Sequence, residues 1–563
     1  TRRRPLVFWR LRRHCSRVAS AAMSGKEAWS SRFGVILAVA SSAVGLGNFL
    51  RFPGMAAQYG GGAFRIAYFV SLLVIGIPVS WAEWTVGRCG GHFGYHSSPG
   101  IFHALLRRPW AKYLGAVGFM VPLMVCMYYV YIEAWCLGYA VNALAGNLSA
   151  PGMDYREFFA TYTGADANGV AIRFGLQDAG LFVVAVIGVN LFFLYRGLSR
   201  GIELACRWGM PVLILIAVVI MVRVLTLGTP DPARPGLNVS AALGFMWNPG
   251  DILQSLKNPQ LWLAAGSQIF FSLSIGLGVI ITYASYLRRT DDITLGSLTA
   301  VGANEFCEVV LGGLTTVPAA FLFLGAAGVA GQSTFALGFM VLPDVFAHMA
   351  GGPVFASLFF VLLFLAAITS SLSILQPTIA FLEEAFRMRR AVSITWLAVL
   401  LVAGTGWVWF FSKDLMALDT IDFWVGTVGV YLQGMLIVML FAWVIGIDKS
   451  WRELHRGALL RVPSFFRGIL RYVTPLYLVA IFAILTITPD VTMVRAGRGD
   501  GVRLRTAGCF SRNSGFRFET VHQTRPKTGF RFETVHGSEP KTGFRLQSMH
   551  GSGAETGFRP WTE

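Results

Sequence analysis

Eleven apolar runs, each about as long as a bilayer is thick, leave this chain few ways to fold. A hydrocarbon core of about 30 Å takes about 20 apolar residues per helix. Every backbone N–H and C=O inside it must be bonded within the protein. The runs lie near 33–56, 62–86, 112–145, 178–196, 205–228, 261–287, 294–325, 337–386, 392–412, 420–446 and 470–488. The third, seventh and eighth are long enough to tilt or to carry an extension outside the membrane. Only 13% of the 563 residues are charged and the mean hydropathy is +0.58, whereas soluble chains are about 25% charged. The chain is therefore expected to be a polytopic membrane protein.

A net charge of +18 would suit nucleic acid, but the basic residues cluster in short loops between the runs and at the two termini. Arg88, Arg107, Arg108 and Lys112 follow the second run, Arg196 and Arg200 the fourth, Arg288 and Arg289 the sixth, Arg387 to Arg390 the eighth, and Lys449 to Arg471 the tenth. If all eleven runs cross, these loops and the N-terminus share one side, which the positive-inside rule makes cytoplasmic. The expected location is a bacterial inner membrane. Seven scattered cysteines show no metal-like spacing, and reduced core residues are the simpler reading. No nucleophile or metal constellation suggests an enzyme.

Two of the runs are interrupted. Ser41-Ser42-Ala43-Val44-Gly45-Leu46-Gly47-Asn48 breaks the first, and Ser272-Leu273-Ser274-Ile275-Gly276-Leu277-Gly278 breaks the sixth. Backbone leaves a helix at membrane depth only where protein buries it or a cavity needs it. Glycine-broken helices in matching places of two halves point to the binding site of a carrier.

The ends differ from the middle. Residues 1–22 are Arg-rich, and Met23 opens a segment leading directly into the first run. Residues 1–22 are expected to be upstream sequence read in frame, or otherwise a targeting peptide, and residues 23–490 the membrane domain. Residues 491–563 carry a repeat of period 14: Gly515–His522 returns at Gly529–His536, and more loosely at Gly543–His550. The repeat has no apolar face to stack, so disorder is expected there. Translated tandem DNA in place of a twelfth helix is the expected origin, and a basic lipid-binding tail the alternative.

Between Trp29 and Arg88 the chain reads W-x-x-R-x-G, then A-V-G-L-G-N-x-x-R-F-P, G-G-G-A-F, G-I-P and E-W-x-x-G-R. Later come Gln268-Ile269-Phe270-Phe271-Ser272, Thr369-Ser370-Ser371 and Gln376-Pro377. Over residues 26–488 this closely resembles the neurotransmitter:sodium symporter family, in particular its bacterial amino-acid branch. The resemblance implies an all-α LeuT-type fold, a 5+5 inverted repeat with broken helices 1 and 6 and about 11 transmembrane helices. It implies sodium-coupled symport of a small molecule by alternating access. A non-transporting amino-acid sensor or scaffold on the same fold is the alternative.

The resemblance also assigns residues. A first sodium site would use the Ala43 carbonyl, Asn48, Ser272 and Asn304. A second would use the carbonyls of Ser41, Val44 and Ala366 with the hydroxyls of Thr369 and Ser370. Neutral oxygens of this kind suit a hard monovalent cation, although a Thr in a membrane helix ordinarily bonds back to its preceding turn. The substrate carboxylate would meet the backbone at Leu46 and Gly47 and the Tyr129 hydroxyl, because a half-helix N-terminus offers free N–H groups and partial positive charge. Ser42, Ala43, Val125, Phe271, Ser272, Ser274, Leu277, Ser370 and Ile374 would complete the pocket. Gly45 stands where amine-transporting relatives have Asp, so a zwitterion is favoured, and the apolar lining favours a neutral apolar amino acid. One gate would pair Arg51 with Asp422, with Gln268 and the Phe271 lid beside them. The other would hold Lys26, Trp29 and Glu384. Glu308 would replace the chloride of chloride-dependent relatives, making transport chloride-independent.

Overall fold

The computed structural model describes Trp29 and residues 32–150, 152–175 and 177–487, which belong to one structural unit. Lys26 and the segments 1–22 and 491–563 lie outside the described residues. The described secondary structure is helical throughout. Eight helices are long and apolar enough to cross a membrane, and one bent pair makes a ninth span.

The bent pair is α1 (Arg32–Ala43) with α2 (Gly47–Gln58), which meet at 43°. Then follow α3 (Gly62–Gly91), α4 (Ser98–Leu106), α5 (Ala111–Leu144), α6 (Ala179–Tyr195) and α7 (Leu198–Leu225). A short helix α8 (Val239–Trp247) precedes α9 (Pro259–Ser272) and α10 (Val279–Ser285). The chain ends its described part with α11 (Ile293–Ala330), α12 (Thr334–Ala347), α13 (Gly352–Ala385), α14 (Arg390–Phe410), α15 (Lys413–Val444) and α16 (Phe465–Leu485). The 17-residue α6 and the pair α9–α10 account for the two expected spans that fall short of the length criterion.

One expected span is corrected. The run 337–386 is two helices, α12 and α13, because Gly351 turns left-handed at φ 77° and Pro353 opens the next helix. The Gly-Gly-Pro stop, just after Asp344 and His348, ends one helix and starts the next. By contrast, α11 loses helical geometry at Gly325, where the seventh run was expected to end.

Packing follows from length. α5 and α13 have 34 residues each, about 51 Å at 1.5 Å per residue, and lie against each other over much of that length. They form a scaffold that also touches α7, α6 and α14. α1 packs on α13, α11 and α7. Buried Arg88, at the far end of α3, donates to the carbonyls of Asp291 (2.7 Å) and Arg456 (3.2 Å) and pairs with Glu453. One guanidinium thereby ties the end of α3 to two segments, the one at Asp291 and the one carrying Glu453 and Arg456.

Candidate functional site

Both breaks lie at the centre of the bundle and are bonded to each other. α1 ends at Ala43, and no side chain caps the first turn of α2. On the other side Ser274 takes φ 53°, and Gly276 and Gly278 take 77° and 70°. The two glycines supply left-handed backbone at little cost. Their missing side chains also matter, because a Cβ would run into the backbone of Val430 at Gly276 and of Gly118 at Gly278. The Ser274 hydroxyl donates to the freed carbonyl of Ser42 at 2.7 Å. The backbone N–H of Gly276 donates to Glu83 Oε1 at 2.7 Å. Glu83 was not singled out from the sequence, although an acidic residue within an apolar run is itself a signal.

Between the breaks is a cavity with about 20 Å³ of space for the centre of a water-sized sphere. A single water needs roughly 10–15 Å³ by this measure, so the walls stand close together. Eleven of the twelve expected substrate residues line it: Ser42, Ala43, Gly47, Val125, Tyr129, Phe271, Ser272, Ser274, Leu277, Ser370 and Ile374. Leu46 does not. Gly45, Tyr128, Gly426 and Val430 complete the lining, which holds no Asp, Glu, Lys, Arg or His. Tyr128, Gly426 and Val430 were missed because no local pattern tells which face of α5 or α15 meets a broken helix.

The first expected cation set converges on Glu308. Its Oε1 accepts from Gln268 Nε2 at 2.7 Å. Its Oε2 accepts from Asn304 Nδ2 (3.1 Å), Asn48 Nδ2 (3.4 Å) and the Ser272 hydroxyl. Asn48 Nδ2 also donates to Asn304 Oδ1 at 2.8 Å, and Asn304 Nδ2 to Ser272 Oγ at 2.7 Å. Asn48 Oδ1 accepts from the N–H of Gly45 at 2.8 Å, which ties the amide to the break itself. All five side chains are buried. The donor set, neutral oxygens with one carboxylate behind them, suits a monovalent hard cation.

The second set is brought together in two halves. Ser370 Oγ lies 3.2, 3.4 and 3.5 Å from the carbonyl oxygens of Ser42, Ser41 and Val44. Thr369 Oγ1 lies 3.3 Å from the Ala366 carbonyl but donates to Leu365 O at 2.9 Å. The back-bond that a helical Thr ordinarily makes is therefore present.

Two gate expectations change. Arg51 does not pair with Asp422. It donates to Ser267 Oγ at 3.0 Å and stacks on Phe271, 4.5 Å from the ring centroid, while Asp422 accepts from the Tyr128 hydroxyl at 2.6 Å. Gln268 turns inward to Glu308, because neighbouring helix positions face different ways and Ser267 takes the side toward Arg51. Glu384 accepts from the N–H groups of His96 (2.7 Å) and Ser97 (3.0 Å) and from Ser97 Oγ (2.7 Å), just before α4. A carboxylate is stabilised by unpaired N–H groups and dipole at such a helix start. Trp29 donates to the Tyr283 carbonyl at 3.4 Å and meets its ring edge-on at 4.9 Å, so it is seated on α10.

A profile of the Sodium:neurotransmitter symporter family matches residues 26–157 and 168–495. An uncharacterized sodium-dependent transporter of Methanocaldococcus jannaschii is 28% identical, over 81% of this chain and 89% of its own length. One of Haemophilus influenzae is also 28% identical, over 81% and 97%. The sodium-dependent dopamine transporter of Bos taurus is 23% identical, over 82% and 70%. Among solved structures, MhsT in complex with L-phenylalanine superposes with a TM-score of 0.69 at 28% identity, covering 81% of this chain and 99% of that one.

Proposed function

The chain belongs to the sodium:neurotransmitter symporter family, and from that premise we propose that it couples the sodium gradient to uptake of a neutral, apolar amino acid. That it is a multi-pass membrane transporter using sodium, and no enzyme, follows from the family. The finer reading rests on one observation: the cavity between the breaks carries hydroxyls, free backbone and apolar side chains, and no charged one. A zwitterion brings both of its own charges to such a site. Its carboxylate would meet the first turn of α2 and the Tyr129 hydroxyl, and its ammonium the carbonyls freed at the breaks. The MhsT complex shows that a protein of similar sequence accepts L-phenylalanine, in keeping with an apolar substrate here.

Two sodium ions travel as co-substrates in this reading. The first would be held by the Ala43 carbonyl, Asn48, Ser272 and Asn304, beside Glu308. The second would be held by the carbonyls of Ser41, Val44 and Ala366 with Thr369 and Ser370, and Thr369 must then give up its back-bond. Glu308 supplies a fixed negative charge next to the first, which makes added chloride unnecessary. Arg51 over Phe271, with Tyr128 on Asp422, would close the outer path, and Trp29 on α10, with Lys26 and Glu384, the cytoplasmic one. The basic loops support a cytoplasmic N-terminus, in keeping with a bacterial inner membrane.

The test is radiolabelled uptake of a neutral amino-acid panel into proteoliposomes under an inward sodium gradient, with potassium as control. Accumulation of one apolar amino acid with sodium alone is expected. Sodium-dependent binding without accumulation would replace the transport reading with that of a sensor.

A further inference from the structure

Arg65 is buried to 3% exposure near the start of α3, and none of its three guanidinium nitrogens has a hydrogen-bond partner. A buried charge ordinarily keeps an opposite charge or a full set of bonds. The guanidinium lies flat on Trp247, with Cζ 3.5 Å from the ring centroid. Cation–π contact fills one face of the group and none of its in-plane N–H directions. Trp247 closes α8, yet the carbonyls of that last turn accept nothing from Arg65. On the α11 side stands Gly313, where a Cβ would come within 3.0 Å of Nη2. The absent side chain lets α11 approach that nitrogen closely, with the Phe52 ring and the Glu308 carbonyl also beside the point a Cβ would take.

The two acids on the facing part of α11 do not bond Arg65, although Glu305 Oε2 has no partner of its own. Glu308 already accepts from four donors. Glu305 accepts from Tyr68, one turn along α3 from Arg65, at 2.9 Å through Oε1.

We propose that Arg65 is the centre of an anion site between α3, α8 and α11, which takes a small monovalent anion of the halide class, chloride in the cell. The surroundings are an indole, a phenyl ring, glycine backbone and the Glu308 carbonyl, which add no donors for a phosphate or carboxylate, so a small single-atom anion is the class that suits them. Arg65 does not line the substrate cavity, so the site acts on the docking of α8 and on stability, and its role is separate from the charge that Glu308 supplies.

The test is thermal unfolding of the full purified chain in sodium chloride against sodium gluconate at equal sodium. The wild type is expected to unfold a few degrees higher in chloride, with saturation, and bromide should substitute. Arg65→Met keeps an apolar stem of similar reach and is expected to abolish the halide dependence while remaining folded. A bromide soak should give an anomalous peak beside Arg65, a readout that no variant's folding can affect. A wild type with equal stability in both salts, or a halide shift that survives in Arg65→Met, would overturn the proposal. Equal destabilisation of Arg65→Met and Glu305→Gln in both salts would also overturn it, assigning Arg65 to the unpartnered Oε2 of Glu305.

Discussion

Gly45→Ala should weaken substrate binding sharply while leaving the fold intact. Gly45 is not among the positions with positive φ, so an alanine there meets no backbone strain. It meets a lack of space. The new Cβ would stand 2.8 Å from Ser370 Oγ and 3.0 Å from the Tyr129 hydroxyl, inside a cavity that leaves about 20 Å³ for the centre of a water-sized sphere. Both neighbours are buried, and Ser370 is held among carbonyls of the broken helix, so neither withdraws freely. Overpacking of this kind costs about 1–3 kcal/mol. At 1.4 kcal/mol per tenfold, the affinity should fall roughly 5- to 150-fold. Global stability should fall by no more than about 1–3 kcal/mol, offset by about 0.4–1 kcal/mol because Gly→Ala also restricts the unfolded chain. Equilibrium binding of the radiolabelled amino acid, with thermal unfolding of the same samples, measures both. An alanine variant that binds within about twofold of wild type would refute the placement of the substrate between the two breaks.

Other consequences are as direct. Under the charge-replacement reading, Glu308→Ser should make uptake depend on chloride, so that gluconate substitution abolishes it, because it removes the carboxylate that accepts from Asn48, Ser272 and Asn304; uptake unchanged by gluconate in the variant would count against that reading. Tyr128→Phe removes the 2.6 Å bond to Asp422, a hydrogen bond to a charged group worth about 1.5–3 kcal/mol. Bound substrate should then dissociate roughly 10- to 150-fold faster in a chase experiment. Ser272→Ala should raise the half-saturating sodium concentration several-fold, and lithium and sodium titrations of substrate binding would check this.

The two interruptions of apolar runs were legible because each breaks a pattern that hydrocarbon enforces. Glycine and serine in the first and sixth runs announced the two breaks, whereas Asn48, Ser272, Asn304 and Glu308 were picked out by the family resemblance. Glu133, which accepts from Asn190 at 3.1 Å within buried surroundings, carries the signal of an acidic residue within an apolar run and was passed over. The pairings were less legible. Arg51 and Asp422 were expected to meet and do not, because Ser267 and Tyr128 stand nearer to each. Those distances depend on how α2, α5, α9 and α15 cross.

The sequence by itself determined that the chain is a bundle of membrane helices with two interrupted spans, since membrane insertion depends on local hydrophobicity and helix breaking on local backbone chemistry. Only the tertiary structure decided which groups share a cavity. Glu308 gathers donors from α2, α9 and its own helix. An arginine near a helix end ordinarily reaches out to water. That Arg65 is instead sealed against Trp247 is a property of three packed helices, and no stretch of sequence contains it.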